Sequence, residues 1–220
     1  MTRPGQASAP DPIVLRYPFR GRWRARNSPA RRVPSHGTHL FGTTYAIDFI
    51  AVDEKGLSAP LTLRAVFATE EPESFTGFGA PILAPVSGRV VALHDGAPDH
   101  EARRSFALVP YMLTQAERAR AGGEGLAGNH VVIAVPGSRS VYVAVAHLRR
   151  GSVRVRLGQE VEAGDVVGEC GNSGNSTQPH VHVQAVDSMH WETARGLPIT
   201  FGDSAATARL PEESEIIDVT

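Results

Sequence analysis

The chain has 220 residues, 41% of them hydrophobic and 20% charged, with a formal net charge of -1. That suits one globular domain with extensions, and the near-neutral balance argues against a molecule built to bind nucleic acid. No apolar stretch approaches the roughly 18 residues of a membrane span, and Cys170 is the only cysteine, so neither a span nor an intramolecular disulfide is expected.

Charge is spread unevenly. Residues 1–33 hold eight Arg and a single acid, Asp11, whereas the chain from Asp203 onward holds five acids and only Arg209. This divides the sequence into a basic N-terminal extension (1–34), a main domain (35–200) and an acidic C-terminal tail (201–220), mobile over 211–220. The basic arm reads either as a solvated end or as a segment that contacts an anionic polymer or the acidic tail.

In chain order, residues 1–12 are rich in Pro, Gly and Ala and are expected to be disordered. Ile13 to Trp23 suits one or two edge strands. Thr44 to Val52 reads as a largely buried strand, with Asp48 in its middle. A carboxylate there is costly unless it is paired or bound to metal. Asp53 to Ser58 suits a hairpin turn, Leu61 to Phe67 a strand, and the glycines around Gly79 to Leu93 a tight turn into further strands. The stretch 94–128 is long for a loop and reads as an insertion. Thr114 and Glu117 form a capping box for a short helix over 114–121, with Gly122 and Gly123 as its stop.

Asn129 to Val135 and Ser140 to Leu148 are expected to pair as strands. Residues 141, 143, 145 and 147 then share one face, and His147 closes that row. Short strands follow over Val153 to Val167, with Gly158 and Gly164 at turns, and after Val183 the sequence reads as loop. The organising stretch runs from Gly168 to Val183. A Gly/Asn/Ser/Thr loop leads through Pro179 into His180 and His182, two residues apart and so on one face of a strand. Two adjacent imidazoles suit a metal ligand beside a proton-transfer group. Strands dominate throughout, and the expected fold class is all-β with antiparallel sheets and a short helix in the insertion.

Gly-Asn-Ser-Gly-Asn-Ser-Thr-Gln-Pro-His-Val-His, from Gly171 to His182, resembles the terminal motif of the M23 (LytM/lysostaphin-type) zinc metallopeptidases. Gly-Ala-Pro-Ile-Leu-Ala-Pro from Gly79 and the Ala-His-Leu around His147 are similar to further segments of that family. The resemblance implies the family's sheet architecture, a Zn2+ cofactor, and cleavage of peptide bonds, often at glycine, in peptidoglycan. It implies Asp48 and His182 as metal ligands, and His147 and His180 as catalytic groups. The sequence departs from the pattern at Thr44, where the family carries a third ligand, His. A ligand from the preceding loop is then needed, His36 in the first place and His39 as the alternative.

The competing readings are a non-catalytic M23-like module that binds wall polymer or regulates a partner hydrolase, and a cytoplasmic peptidase that processes a peptide precursor. Gly158 to Gly168 also resembles a segment of biotinyl and lipoyl domains, but the only lysine, Lys55, lies elsewhere. The first ten residues hold no apolar run of signal-peptide length, so the chain as written is expected in the cytoplasm, with export requiring another route.

Overall fold

The computed structural model describes residues 11–61, 68–104, 122–137 and 140–220. Alternation of apolar and small or polar residues builds one nine-stranded sheet. β1 (Ile13–Leu15) stands outside it. β2 (Gly21–Arg26) pairs antiparallel with β3 (Ile47–Ala51). β4 (Pro81–Leu83) is followed by β5 (Gly88–His94), β6 (Asn129–Ala134) and β7 (Tyr142–Leu148), the last three forming an antiparallel run. β8 (Glu160–Val161) adds to β5, and β9 (Val166–Glu169) pairs with β4 in a separate two-stranded sheet. β10 (Val181–Val186) lies between β3 and β7, and β11 (Gly196–Leu197) pairs with its end. β12 (Ile199–Phe201) runs parallel to β1, and β13 (Ile216–Val219) closes the sheet beside β2. The fold is all-β, and among the described residues its ladders are antiparallel apart from the β1–β12 pair.

One face of the large sheet carries the core. Ile47 and Phe49 of β3, Val143 and Val145 of β7, and Val181 and Val183 of β10 are buried there. An aromatic cluster of Tyr17, Phe19, Trp23, Phe49 and Phe201 fills one end, with centroid separations of 4.8–6.0 Å. Burying such rings contributes more than their area alone, through stacked and edge-on contacts. The same period of two sends Asp48, Ala144, Ala146, His182 and Gln184 to the opposite face. Register brings them together: His182 lies opposite Asp48 on one side and Ala146 on the other.

Several expectations need correcting. Thr44 and Tyr45 are not strand; Leu40–Tyr45 forms a 3₁₀ turn, with Phe41 and Gly42 in the left-handed region. The chain after Val183 is not loop, since β10 continues to Val186 and three more strands follow. The basic and acidic ends are parts of the sheet. Arg26 and Arg31 lie 3.5 and 3.9 Å from Glu213, and Arg209 forks onto Glu215. Residues 211–220, expected to be mobile, supply β13, which covers β2. Charge asymmetry was therefore complementarity between two ends that meet, and β2 is an interior strand, not an edge. The expected strand over 61–67, the helix over 114–121 and the disorder over 1–10 fall outside the described residues. Among those described, one short α-helix, α1 (Gly122–Ala127), begins at Gly122, whose φ of +76 lies in the left-handed region. A Cβ on Gly123 would lie 2.4 Å from Cβ of Trp191, so close packing requires glycine there.

Ile217 is buried against the core from β13. Ile217→Ala is expected to cost about 2–5 kcal/mol, the usual range for truncating a buried aliphatic side chain. Urea unfolding measures it, and an unchanged midpoint would mean that the C-terminal strand is dispensable.

Candidate functional site

Asp48 is the centre of the polar face. It is buried in the middle of β3, and four side chains turn toward its two oxygens. Oδ1 lies 2.9 Å from His182 Nδ1 and 3.7 Å from His180 Nε2. Oδ2 accepts from Asn27 Nδ2 at 2.7 Å and lies 3.1 Å from His36 Nε2. His36 comes from the loop before the 3₁₀ turn. Its Nδ1 lies 3.0 Å from Ser35 Oγ, which itself donates to the Thr43 carbonyl at 3.1 Å. Ser35 N–H also donates to the Thr44 carbonyl, closing the loop that carries His36 toward the sheet. His39, by contrast, is exposed, and its Nδ1 lies 3.1 Å from Thr44 Oγ1. The loop thus brings His36 to Asp48 and leaves His39 outside.

The hydrogen bonds on the far side of each ring decide what the near side offers. Gln184 Nε2 donates to the Phe41 carbonyl, which leaves its Oε1 to accept from His182 Nε2–H at 2.9 Å. Ser35 Oγ, already donating, accepts from His36 Nδ1–H. His182 Nδ1 and His36 Nε2 therefore both direct lone pairs at one carboxylate. Protons or a cation between them reconcile three facing acceptors. His36, Asp48 and His182 each offer a ligand atom, and those atoms lie within 4.8 Å of one another. Two imidazoles and a carboxylate are the donor types that zinc takes at a catalytic site, with a further position left open. The residues fit the ion.

His147 and His180 stand beside this group. Their ring centroids are 4.7 Å apart, and His147 is 5.8 Å from His182. His147 does not continue the row of Val143 and Val145 as alternation predicts. The ladder between β6 and β7 shifts register at Asn129 and His130, and His147 adopts φ +63 in the resulting bulge. That turns its ring from the core face to the polar face. Asn129 Nδ2 and Ser173 Oγ both donate to the Leu148 carbonyl and hold the bulge. His147 Nδ1–H donates to the Ser173 carbonyl at 2.9 Å, and His180 Nδ1–H to that of Gln178 at 2.8 Å. Both rings thus keep an unprotonated Nε2.

Electrostatics follow from burial and from Asp48. Burial alone would lift the Asp48 carboxyl, but the charges of His36 and His180 and hydrogen bonds from His182 and His36 hold it well below the usual carboxylate range. Burial works against charge on His182, yet its bond to Asp48 and that carboxylate's charge raise it above the ordinary histidine value. Burial and neighbouring imidazoles push His147 well down, and burial lowers His180 against the pull of Asp48. The pattern separates one imidazole that takes up a further proton more readily than usual from two that take it up less readily.

These groups line a cleft of about 670 Å³. Ala144 and Ala146 form its floor. The loop from Thr38 to Thr43, α1, and Asn175 with Thr177 contribute its walls, and Leu40, Phe41, Leu126 and Trp191 make those walls partly apolar. Gly128 and Gly174 let α1 and the 171–178 loop meet, since a Cβ on either would lie within 2.6 Å of the other's backbone nitrogen. Cys170 is fully buried, and burial pushes its thiol up, so it is inert packing. Asn27 and Gln184 were missed in the sequence. Gln184 carried a signal, being two residues past His182 on the same strand face; Asn27 reaches Asp48 from a distant loop and carried none.

Residues 114–192 match the profile of peptidase family M23, a segment that contains His147, His180 and His182. The chain is related to peptidase family M23. Asp48 and His36 lie upstream of the matched segment. Among solved structures, the catalytic domain of the prophage-encoded M23 protein EnpA from Enterococcus faecalis, in a point-mutant form, is similar at 19% identity. That match covers 89% of this chain and 92% of that one, with a TM-score of 0.41. The catalytic domain of the antimicrobial peptidase lysostaphin from Staphylococcus simulans is also 19% identical over 72% of this chain and 80% of that one, with a TM-score of 0.40. A putative glycyl-glycine endopeptidase LytM from Ruminococcus gnavus matches at 17% over 69% and 42%, with a TM-score of 0.36. No curated protein matches the chain. Among the described residues, no helix is long and apolar enough to cross a membrane.

Proposed function

We propose that this M23-related chain is a zinc endopeptidase that cleaves glycine-containing peptides, those of peptidoglycan or of a related peptide. The observation that carries the reading is the convergence of His36 and His182 lone pairs on Asp48, beside two further imidazoles held neutral at a cleft. His36, Asp48 and His182 would hold the zinc, with His36 doing the work that Thr44 cannot. A bound zinc ion supplies a Lewis acid for the scissile carbonyl.

The chain's own residues do the rest. Nε2 of His180 takes a proton from the attacking water, and Asp48, 3.7 Å away, stabilises the imidazolium that forms. The carbonyl of Gln178 keeps the His180 ring oriented throughout, and Ser173 does the same for His147. The His180 imidazolium then passes that proton to the departing amine, while His147, with Nε2 unprotonated, accepts a hydrogen bond from the attacking water. Small side chains at Ala144 and Ala146 let a peptide backbone lie close to the imidazoles, and a glycine at the cleaved bond suits that approach. Asn27 holds Asp48 Oδ2 and so fixes which way the carboxylate faces.

Zinc-loaded protein is expected to cleave at least one of a set of oligoglycine and peptidoglycan stem peptides, read by mass spectrometry. A chelator should stop cleavage and added zinc restore it, while unrelated peptides of the same length remain intact. Zinc-loaded protein that cleaves none of them yet binds peptidoglycan or a partner hydrolase would replace this reading with that of a regulatory module.

A further inference from the structure

Gln184 is buried in the middle of β10, and neither of its polar atoms faces solvent alone. Its Oε1 lies 2.9 Å from His182 Nε2, and its Nε2 donates to the Phe41 carbonyl at 3.0 Å. Phe41 sits in the left-handed region within the 3₁₀ turn, at φ +57, which turns its carbonyl toward the sheet. That turn directly follows the loop that carries His36, and it is pressed onto the same strand: a Cβ on Gly42 would lie 2.3 Å from Val186 Cγ1 and 3.5 Å from Gln184 Nε2. One carboxamide thus touches both structures that deliver an imidazole to Asp48.

We propose that Gln184 is a positioning residue that couples the two imidazoles, its carbonyl fixing His182 with Nδ1 toward Asp48 and its amide holding down the turn that follows His36. The inference rests on the zinc reading above. A carboxamide suits the task because it has one acceptor end and one donor end. The Phe41 carbonyl accepts only, so it takes the NH₂ end and settles the amide's orientation. The acceptor end then faces His182 and requires the proton on Nε2. A leucine at 184 would fill similar volume with neither end, leaving His182 free to exchange tautomers and the Phe41 carbonyl without its donor. Groups that orient a metal ligand in this way change metal affinity by about 10- to 100-fold when removed.

The test uses full-length protein and two measurements. Nitrogen-resolved NMR reads the His182 tautomer in wild type, zinc-loaded and, in alkaline buffer, metal-free; chelator competition reads zinc affinity in wild type and Gln184→Leu. The expected results are Nε2–H in both wild-type states and an affinity about 10- to 100-fold weaker in Gln184→Leu. A proton on Nδ1 of His182 in wild type would overturn the inference, as would an unchanged affinity in a folded Gln184→Leu. If Gln184→Leu does not fold, the wild-type tautomer decides alone. Wild type that takes up no zinc would remove the zinc reading instead, and the metal-free tautomer would still decide the role of Gln184.

Discussion

Asp48→Ala is expected to leave the protein without zinc and without activity. The carboxylate is the only acidic member of the proposed ligand set, and His36, His180, His182 and Asn27 are all arranged around it. Its loss acts on the metal-free protein as well. The folded-state pKa of Asp48 is lowered, so its contribution to stability is present above the unfolded value and disappears as pH falls through the folded one. That of His182 is raised, so its contribution is present below its unfolded value and disappears as pH rises through the folded one. The pair stabilises most in mildly acid solution. Removing one partner of a buried pair costs about 3–5 kcal/mol, which urea unfolding of metal-free protein at that pH measures. His182→Ala should lose zinc equally. Full zinc occupancy in either variant, by elemental analysis, would overturn the proposed ligand set.

His180→Ala and His147→Ala should separate chemistry from metal binding. Each is expected to retain most of the zinc and to lose turnover by about 100-fold or more, the scale of an acid–base group. Their lowered pKa values set the sign of the pH dependence. Both rings stay neutral as pH falls past the ordinary histidine value, so turnover per bound zinc should decline only in more acid solution. Zinc uptake should weaken earlier, because a proton competes for His182 Nδ1 at a raised pKa. Loss of zinc from His180→Ala would make that residue a ligand. Turnover that declines before zinc uptake, as the solution is acidified, would contradict the assignment of the neutral bases.

Local chemistry made the centre of this site legible. A carboxylate inside the apolar run Ile47 to Val52 has to be compensated, and the spacing of His180 and His182 fixes a shared face on any strand. Paired β6 and β7 followed from alternation for the same reason. What the sequence did not disclose depends on partners far along the chain. His147 faces the cleft because a bulge breaks the period of two, and the groups that hold it, Asn129 and Ser173, come from another strand and a loop. The C-terminal residues form a strand because β2 is there to receive them. Gly123 shows no packing need for glycine in the sequence, because Trp191, which occupies the space of its Cβ, lies 68 positions later.

The central claim is that a loop histidine replaces the ligand absent at Thr44, and zinc titration of wild type, His36→Ala and His39→Ala tests it most directly. Wild type and His39→Ala are expected to bind one zinc per chain with similar affinity, and His36→Ala to bind far more weakly. Equal binding by His36→Ala and wild type would contradict the account, and loss of binding in His39→Ala alone would transfer the ligand to His39.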